Sequence, residues 1–206
     1  MQFAFSKIVL KWLCENEKQR YGRNKQTSIN HTYVNSGAYR KKFDKISDNV
    51  FLNRLLFKLA KKMLQHRSGT LYEDMYWIDL DTMEIVAEET GANVEEEIVY
   101  SDRTKKVIAM NNRLLTIHSH PNSFPPSVSD FKSNFCNHYL VGIIVCHDGT
   151  LYMYSASEDI SKEYYNLSVA EYVKRGYNEC DAQKHTLEDM KERFAIKFKE
   201  VTDNDV

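Results

Sequence analysis

Cysteine is scarce in this sequence, and no cysteine lies close to another. The four cysteines form no C-x-x-C pair, so the sequence indicates neither a cysteine zinc site nor a dense disulfide framework. A reducing cytosolic location fits this pattern, and we expect a cytoplasmic protein. Cys146 ends an apolar segment without a neighbour that would lower the pKa of its thiol, so we expect it to be buried and inert rather than a nucleophile.

The sequence also lacks a long apolar run. Lys7 and Lys11 interrupt the apolar residues at its start, and no small-residue cleavage site follows, so we expect no signal peptide. No stretch approaches the roughly 20 apolar residues that a membrane span requires, and we expect no membrane partner. Internal repeats and low-complexity tracts are missing as well.

What is present is the composition of a folded protein. Hydrophobic residues make up 42% and charged residues 28%, which argues against intrinsic disorder, and 206 residues suit one domain with an appendage. The net charge of -1 conceals a basic start: residues 1–45 contain ten Lys or Arg and three acidic residues. We interpret residues 1–45 as a solvated or loosely packed basic extension, with an arm that binds nucleic acid or another partner as the alternative.

The hydrophobic pattern predicts helices and strands in succession. After a cap at Ser47 or Asp48, leucines recur at spacings of three and four, which is typical of an amphipathic helix. Asp148-Gly149 between two apolar segments is a strong hairpin signal. Further strands are predicted in EDMYWIDL, MEIVAEE, VEEEIVY, RLLTIHSH and AIKFKEV, and further helices in DRTKKVIAMNN, SVSDFKSNF, 159–175 and 179–194.

This order of elements predicts a mixed α/β (α+β) fold with a largely antiparallel or mixed sheet. We divide the chain into the basic extension (1–45), a core domain (46–157) and a C-terminal helical extension packed on that core (158–206). Tyr76 and Trp77 are expected in the core or on the sheet. His147 is expected to be no more than a hairpin-turn residue.

The segment IHSHPNSFPPSVSDF contains the residues best suited to bind a metal or to catalyse a reaction. Side chains alternate along a strand, so His118 and His120 point to the same side, about 7 Å apart at the backbone, and can converge on one cation. Catalytic zinc takes three protein ligands of N or O type and leaves one position open. Asp130, in the first turn of the next helix, can supply the third ligand after a short proline-stiffened loop.

The pattern H-S-H-P followed by S-V-S-D resembles the JAMM signature of the MPN (JAB-domain) metalloproteases. The resemblance implies Zn²⁺ bound by His118, His120 and Asp130, with Ser127 stabilising the oxyanion, and a curved mixed sheet flanked by helices, related to the cytidine deaminase core. Ser127 could also be no more than a helix N-cap. Nine residues separate His120 from Asp130, one fewer than usual, which resembles bacterial, phage and mobile-element members.

The resemblance further implies a catalytic glutamate on an early strand. Glu73 is the matching position, with Glu84, Glu88 and Glu89 on the next strand as alternatives. Zinc lowers the pKa of a bound water to about 7, and a nearby carboxylate can accept its proton and later protonate the departing amine. Such proteins hydrolyse isopeptide or peptide bonds, often next to ubiquitin or a ubiquitin-like modifier.

Two other functions compete with a metallo-isopeptidase. RadC-like, DNA-associated relatives share the signature, and the basic extension could contact nucleic acid, but the rest of the chain is acidic and a poor host for phosphates. A non-catalytic MPN-type scaffold is the other alternative, and the intact ligand set argues against it. The sequence therefore favours a zinc metallo-isopeptidase or peptidase with a protein or peptide substrate.

Overall fold

A six-stranded mixed sheet is the centre of residues 27–202, the part of the chain that the computed structural model describes. The strand order is β2-β1-β3-β4-β5-β6; β3 and β4 are parallel, and every other neighbouring pair is antiparallel. The mixed α/β class is therefore confirmed. The strands are β1 (Met75–Asp79), β2 (Glu84–Glu89), β3 (Leu114–His120), β4 (Val141–Cys146), β5 (Leu151–Ala156) and β6 (Ile196–Glu200).

Helices cover both faces of this sheet. Within the described residues they are α1 (His31–Val34), α2 (Gly37–Phe43), α3 (Val50–Arg67), α4 (Asp102–Met110), α5 (Val128–Cys136), α6 (Lys162–Lys174) and α7 (Glu179–Arg193). None of the helices in residues 27–202 combines the length and the apolar composition of a transmembrane segment.

The long helix α3 packs on one face of the sheet. Asn49 caps its first turn by accepting hydrogen bonds from the backbone N–H groups of Phe51 and Leu52, so the helix begins slightly later than Ser47 or Asp48 would predict. Its apolar stripe is buried against β1, β3 and β4. The helix ends at Arg67, just before Gly69, whose φ of 82° breaks it.

The opposite face of the sheet is covered by α4 to α7 and by the loops between strands. Trp77 is fully buried on this face, where its indole N–H donates to the Tyr139 hydroxyl at 2.9 Å. Tyr76, one position earlier, is fully buried on the α3 side, so both aromatic residues lie in the core as predicted. The last strand, β6, pairs with β5 and thereby joins the C-terminal residues to the same sheet.

The second half of the basic extension differs from the prediction of a loosely packed segment. Val34, Tyr39 and Phe43 are fully buried in the core beneath α3. Lys42 and Lys45 donate to the carbonyls of Gly149 and Thr202. Two short helices interrupted at residues 35–36 give no sustained period, which is why the sequence pattern concealed them. Residues 1–26 of the extension lie outside the described residues.

The strand predicted in VEEEIVY is wrong. Residues 94–100 adopt neither helix nor strand, and Glu96 has a φ of 57° that takes the backbone out of the extended region. Ile98 and Tyr100 instead pack beside Trp77 from outside the sheet. These two apolar residues therefore contact a neighbouring cluster without pairing with a strand. The other predicted strands and helices, including β6 at the sheet edge, are present.

Candidate metal centre

The two histidines lie at the end of β3 and point toward each other. His118 is 1% and His120 is 8% exposed, and their Nε2 atoms are 3.1 Å apart. Both side chains lie on the sheet face that also buries Leu114 with Trp77, as the alternation of strand residues predicts. Convergence of the two ring nitrogens, expected from the sequence, is therefore present in the structure.

Asp130 reaches the histidines from the first turn of α5. Its Oδ1 lies 3.3 Å from His118 Nε2, and its Oδ2 lies 3.6 Å from His120 Nε2. The carboxylate is held by a capping box: the Ser127 N–H and hydroxyl both donate to Asp130 Oδ2 at 2.7 Å, and the Asp130 N–H donates back to Ser127 Oγ at 3.2 Å. Ser127 therefore caps α5, as predicted, and also orients Asp130.

The ligand triad, His118, His120 and Asp130, has the spacing that a small tetrahedral ion requires. Donor atoms bonded to zinc at about 2.0–2.1 Å in a tetrahedral arrangement lie roughly 3.3 Å from one another. The two Nε2 atoms are 3.1 Å apart; His118 Nε2 lies 3.3 Å from Asp130 Oδ1, and His120 Nε2 lies 3.6 Å from the other carboxylate oxygen, Oδ2. Two imidazole nitrogens and one carboxylate oxygen are also a donor set that zinc takes. The residues present therefore fit a divalent metal ion such as zinc.

The orientation of His120 is fixed by the loop that follows β3. The Nδ1–H of His120 donates to the Phe124 carbonyl at 3.1 Å, and because a carbonyl only accepts, Nδ1 carries the proton. In the neutral ring, Nε2 then offers its lone pair to the centre. Two side chains of the sheet hold this loop in place. The Tyr152 hydroxyl donates to the Ser123 carbonyl at 2.9 Å, and the Cys146 thiol lies 3.7 Å from the Phe124 carbonyl.

Glu73 lies next to the triad because of strand register. Met75 pairs with His118 in the antiparallel β1–β3 ladder, and Ser119 donates its N–H to the Asp74 carbonyl, so Glu73 stands opposite His120. Its Oε1 is 3.9 Å from His120 Nε2, and the residue is 7% exposed. Glu73 is thus a buried carboxylate at the edge of the centre.

The other glutamates considered from the sequence have different surroundings. Glu89 accepts hydrogen bonds from Ser101 and Thr104 at the start of α4, and these bonds lower its pKa against the opposing effect of burial. Glu88 lies 3.8 Å from the Lys62 ammonium. Glu84 is exposed at the start of β2, paired with Asp79. Of these four glutamates, the structure brings Glu73 to the triad.

The electrostatics of the centre favour a positive charge. Burial lowers the pKa of His118. Burial acts in the same direction on His120, but the Glu73 and Asp130 carboxylates outweigh it and raise its pKa to about 9. Burial would raise the pKa of Asp130, yet His118 and His120 hold it well below its ordinary value. The low pKa keeps Asp130 ionised between the two imidazoles, and Glu73 adds a second carboxyl group beside them, a set of groups that suits a divalent cation.

The centre opens into a cleft of about 810 Å³. One side of the cleft is an acidic wall, Glu95, Glu96 and Glu97, which belongs to the segment predicted as a strand, and Glu179 of α7 lines it as well. None of the described residues that line the cleft is Lys or Arg. Aromatic residues line it as well: Tyr100, Phe124, Tyr154 and Tyr165. The cleft is large enough for an extended peptide segment and repels anions.

Several residues around the centre were not predicted from the sequence. Tyr154, on β5, presents its ring to His118 with 6.3 Å between centroids, and the acidic wall comes from a segment without regular structure. His147 is fully buried, and its ring nitrogen bonds the Thr27 carbonyl, so it fastens the start of the described chain and is more than a turn residue. These contacts join residues distant in sequence, and no local signal indicates them.

Cys146 has the environment expected of an inert thiol. It is fully buried, and burial raises its pKa well above the ordinary value.

A scan of protein-family models finds no match to this chain, and searches of the curated proteins and of the solved structures find none either.

Proposed function

We propose that this chain is a zinc-dependent hydrolase of the JAMM/MPN type that cleaves a peptide or isopeptide bond. The observation that carries the proposal is the convergence of His118, His120 and Asp130, at separations of 3.1 to 3.6 Å, with the Glu73 carboxylate beside them at the floor of an open cleft. The mixed sheet with helices on both faces agrees with an MPN-like core. The shorter loop between His120 and Asp130 suits a divergent member of that family.

In this proposal the triad would hold zinc through His118 Nε2, His120 Nε2 and an Asp130 oxygen. A bound zinc ion supplies a Lewis acid and makes a water molecule acidic near neutral pH. Glu73 is the general base: its carboxylate, buried 3.9 Å from His120, accepts the proton of the attacking water and delivers it to the departing amine. The low exposure of Glu73 limits competition from bulk water.

Ser127 is the proposed donor to the oxyanion. It lines the cleft beside Asp130, and its hydroxyl donates to Asp130 Oδ2 in this structure. A donor aimed at the developing negative charge lowers the barrier to attack on the carbonyl. Because the hydroxyl has one proton, it would turn from Asp130 Oδ2 to the oxyanion during attack, while the Ser127 backbone N–H keeps its hydrogen bond to Asp130.

The charge of the cleft favours a polypeptide substrate over a nucleic acid. Phosphates require Lys or Arg partners, and the described lining offers carboxylates on two sides. A peptide segment with basic residues, such as the tail of a ubiquitin-like modifier joined to a lysine, complements that charge. An MPN-type scaffold without activity has no need of a triad with ligand spacing, which supports an enzyme.

The proposal is tested by metal content and by hydrolysis of a panel of peptides and ubiquitin-like conjugates. We expect one zinc per chain, cleavage of at least one substrate, and loss of cleavage with retained zinc in Glu73→Gln. Glu84→Gln, an exposed glutamate on β2, is the matched control and should behave as wild type. Purified protein that binds no stoichiometric zinc, or a His118→Ala variant that retains both zinc and activity, would refute the proposal.

The nucleic-acid alternative has its own test. DNA binding is measured as a function of salt for the full chain and for a variant lacking residues 1–26, the part of the basic extension outside the described core. The proposed hydrolase predicts weak binding by the truncated protein, because its cleft is acidic. Steeply salt-dependent binding that survives the truncation would favour the DNA-associated function.

A further inference from the structure

A buried ion pair lies directly behind Glu73. Arg67, the last residue of α3, is 8% exposed, and Asp74 is 1% exposed. The Arg67 Nε–H donates to Asp74 Oδ1 at 2.5 Å, and the other oxygen, Asp74 Oδ2, lies 2.7 Å from Nδ1 of His66. Neither Arg67 nor Asp74 lines the cleft, so the chemistry proposed above does not use this pair directly.

The backbone of Asp74 is held as firmly as its side chain. Its N–H donates to the Ser119 hydroxyl at 3.0 Å, and its carbonyl accepts the Ser119 N–H at 3.0 Å. Ser119 is fully buried and stands between the two ligand histidines on β3. Residue 74 is therefore tied to the strand of His118 and His120 on one side and to the end of α3 on the other.

Arg67 connects this point to two further segments. Its Nη2 donates to the Thr90 carbonyl at 2.5 Å, immediately after β2, and its guanidinium lies 5.8 Å from the ring centroid of Tyr72. The planar fork of arginine allows one side chain to hold Asp74 and Thr90 at the same time, which a lysine ammonium does less well. The segment that leads into β1 is thereby anchored just before Glu73.

Because side chains alternate in direction along an extended segment, fixing Asp74 also fixes the direction of the Glu73 side chain. Glu73 and Met75 line the cleft, whereas Asp74 and Tyr76 face α3, as successive residues of an extended segment must. With Asp74 fixed on the far side, the Glu73 side chain is directed toward His120. Buried ion pairs contribute little net stability compared with well-packed apolar residues, so stability alone gives a weak reason for this pair.

We propose that the Arg67–Asp74 ion pair positions the Glu73 carboxylate against the ligand triad. Asp74 and Arg67 are positioning residues that touch neither substrate nor metal. This inference rests on the proposed function for its kinetic consequence, while its geometric consequence, the distance from Glu73 Oε1 to His120 Nε2, can be measured without activity.

The test replaces both charges together, because removal of Asp74 alone leaves Arg67 buried without its carboxylate, and removal of Arg67 alone leaves the buried Asp74 with only the half-exposed His66 beside it. In Arg67→Met/Asp74→Val we expect retained zinc and a thermal stability close to wild type. We expect kcat to fall about a hundredfold with KM unchanged, the effect of a misplacement of roughly 1 Å at a reacting group. The control is Arg113→Met/Asp81→Asn, which neutralises an exposed pair with an N–O distance of 2.8 Å and should leave kcat unchanged.

Crystal structures of the wild type and the double variant supply the second readout. We expect the Glu73–His120 distance to increase by about 1 Å or more in the variant, or Glu73 to become disordered. An unchanged distance, or a kcat within twofold of wild type, overturns the positioning role. A wild type that cleaves nothing refutes the proposed function alone, since the crystallographic comparison still decides the positioning.

Arg67→Lys keeps the test valid where the double variant does not fold. It retains the buried positive charge but loses the fork that joins Asp74 to Thr90. Positioning predicts a reduced kcat at unchanged zinc content. A purely charge-balancing role predicts wild-type kinetics and an unchanged Glu73–His120 distance, and that result would overturn the inference.

Discussion

Glu73 and His120 face each other across the β1–β3 strand pair, with 3.9 Å between Glu73 Oε1 and His120 Nε2. The two residues are 47 positions apart in the sequence, and the register of the ladder brings their backbones opposite each other. A carboxylate fixed beside a candidate metal ligand, and itself buried, is the arrangement that water activation requires.

The ligand triad predicts that zinc stabilises the fold. At a free zinc concentration about 100 times Kd, binding contributes about 2.7 kcal/mol, which in a chain of this size corresponds to a rise in Tm of roughly 5–10 °C. Differential scanning fluorimetry with and without zinc measures the shift. His118→Ala should abolish it, and His31→Ala, which removes an exposed histidine, should preserve it. An equal shift in His118→Ala would place the zinc elsewhere.

Replacement of Ser127 should lower metal affinity in addition to its effect on stability. Ser127→Ala should cost about 1 kcal/mol through loss of the helix cap. It should also weaken zinc binding about 10–100-fold, since the substitution removes the hydroxyl that donates to the Asp130 carboxylate and leaves only the backbone N–H of residue 127 to hold it. Ser101→Ala is the matched control, because Ser101 caps α4 through the Thr104 N–H without contact to the centre. Urea denaturation should show similar losses of stability in Ser127→Ala and Ser101→Ala. Zinc competition titrations should show weakened zinc binding in Ser127→Ala alone.

The sequence predicts the centre well where its geometry is local. Period-two alternation is enough to place His118 and His120 on one face, and the pattern S-x-x-D is enough to place Ser127 and Asp130 in one helical turn. Both arrangements depend on residues within four positions of each other. The same local reasoning yields β4, β5 and the hairpin between them.

The remaining features depend on contacts between distant segments. Arg67 meets Asp74 and Thr90 after α3 has packed on the sheet, and a sequence pattern has no measure of that distance. The acidic wall was predicted within a strand because its segment ends in the β-branched and aromatic residues IVY (98–100), but Ile98 and Tyr100 pack on Trp77 from outside the sheet. Residues 31–43 form helices too short for a periodic signal.

Tight packing next to the candidate metal centre leaves no room for a side chain at Gly142. A Cβ at this position would overlap the ring of Tyr154, which lies against His118 and Phe131. Gly142→Ala should therefore destabilise the protein by about 1–3 kcal/mol through overpacking. Gly37→Ala is the control, since a Cβ there meets no atom within 4 Å and alanine favours the helix. Urea denaturation compares the two, and equal stability of both variants would contradict the tight contact.

The acidic wall predicts a preference for basic substrates. Glu95 and Glu97 are exposed carboxylates on the rim of the cleft, so they can attract a cationic peptide without taking part in the chemistry. Because an exposed ion pair contributes about 0.2–1 kcal/mol, the double variant Glu95→Gln/Glu97→Gln should raise KM for a lysine-rich peptide roughly fivefold. Its kcat should stay unchanged.

Salt and charge-neutral substrates distinguish this effect from a general loss of activity. The difference in KM between wild type and Glu95→Gln/Glu97→Gln should shrink as ionic strength rises, because salt screens exposed charges. A neutral peptide of equal length should show no difference. Glu84→Gln/Glu163→Gln removes two exposed carboxylates of residues that do not line the cleft, and it should retain the wild-type KM. An increase in KM that is the same for neutral and basic peptides would mean that the wall shapes the cleft sterically, without contributing charge recognition.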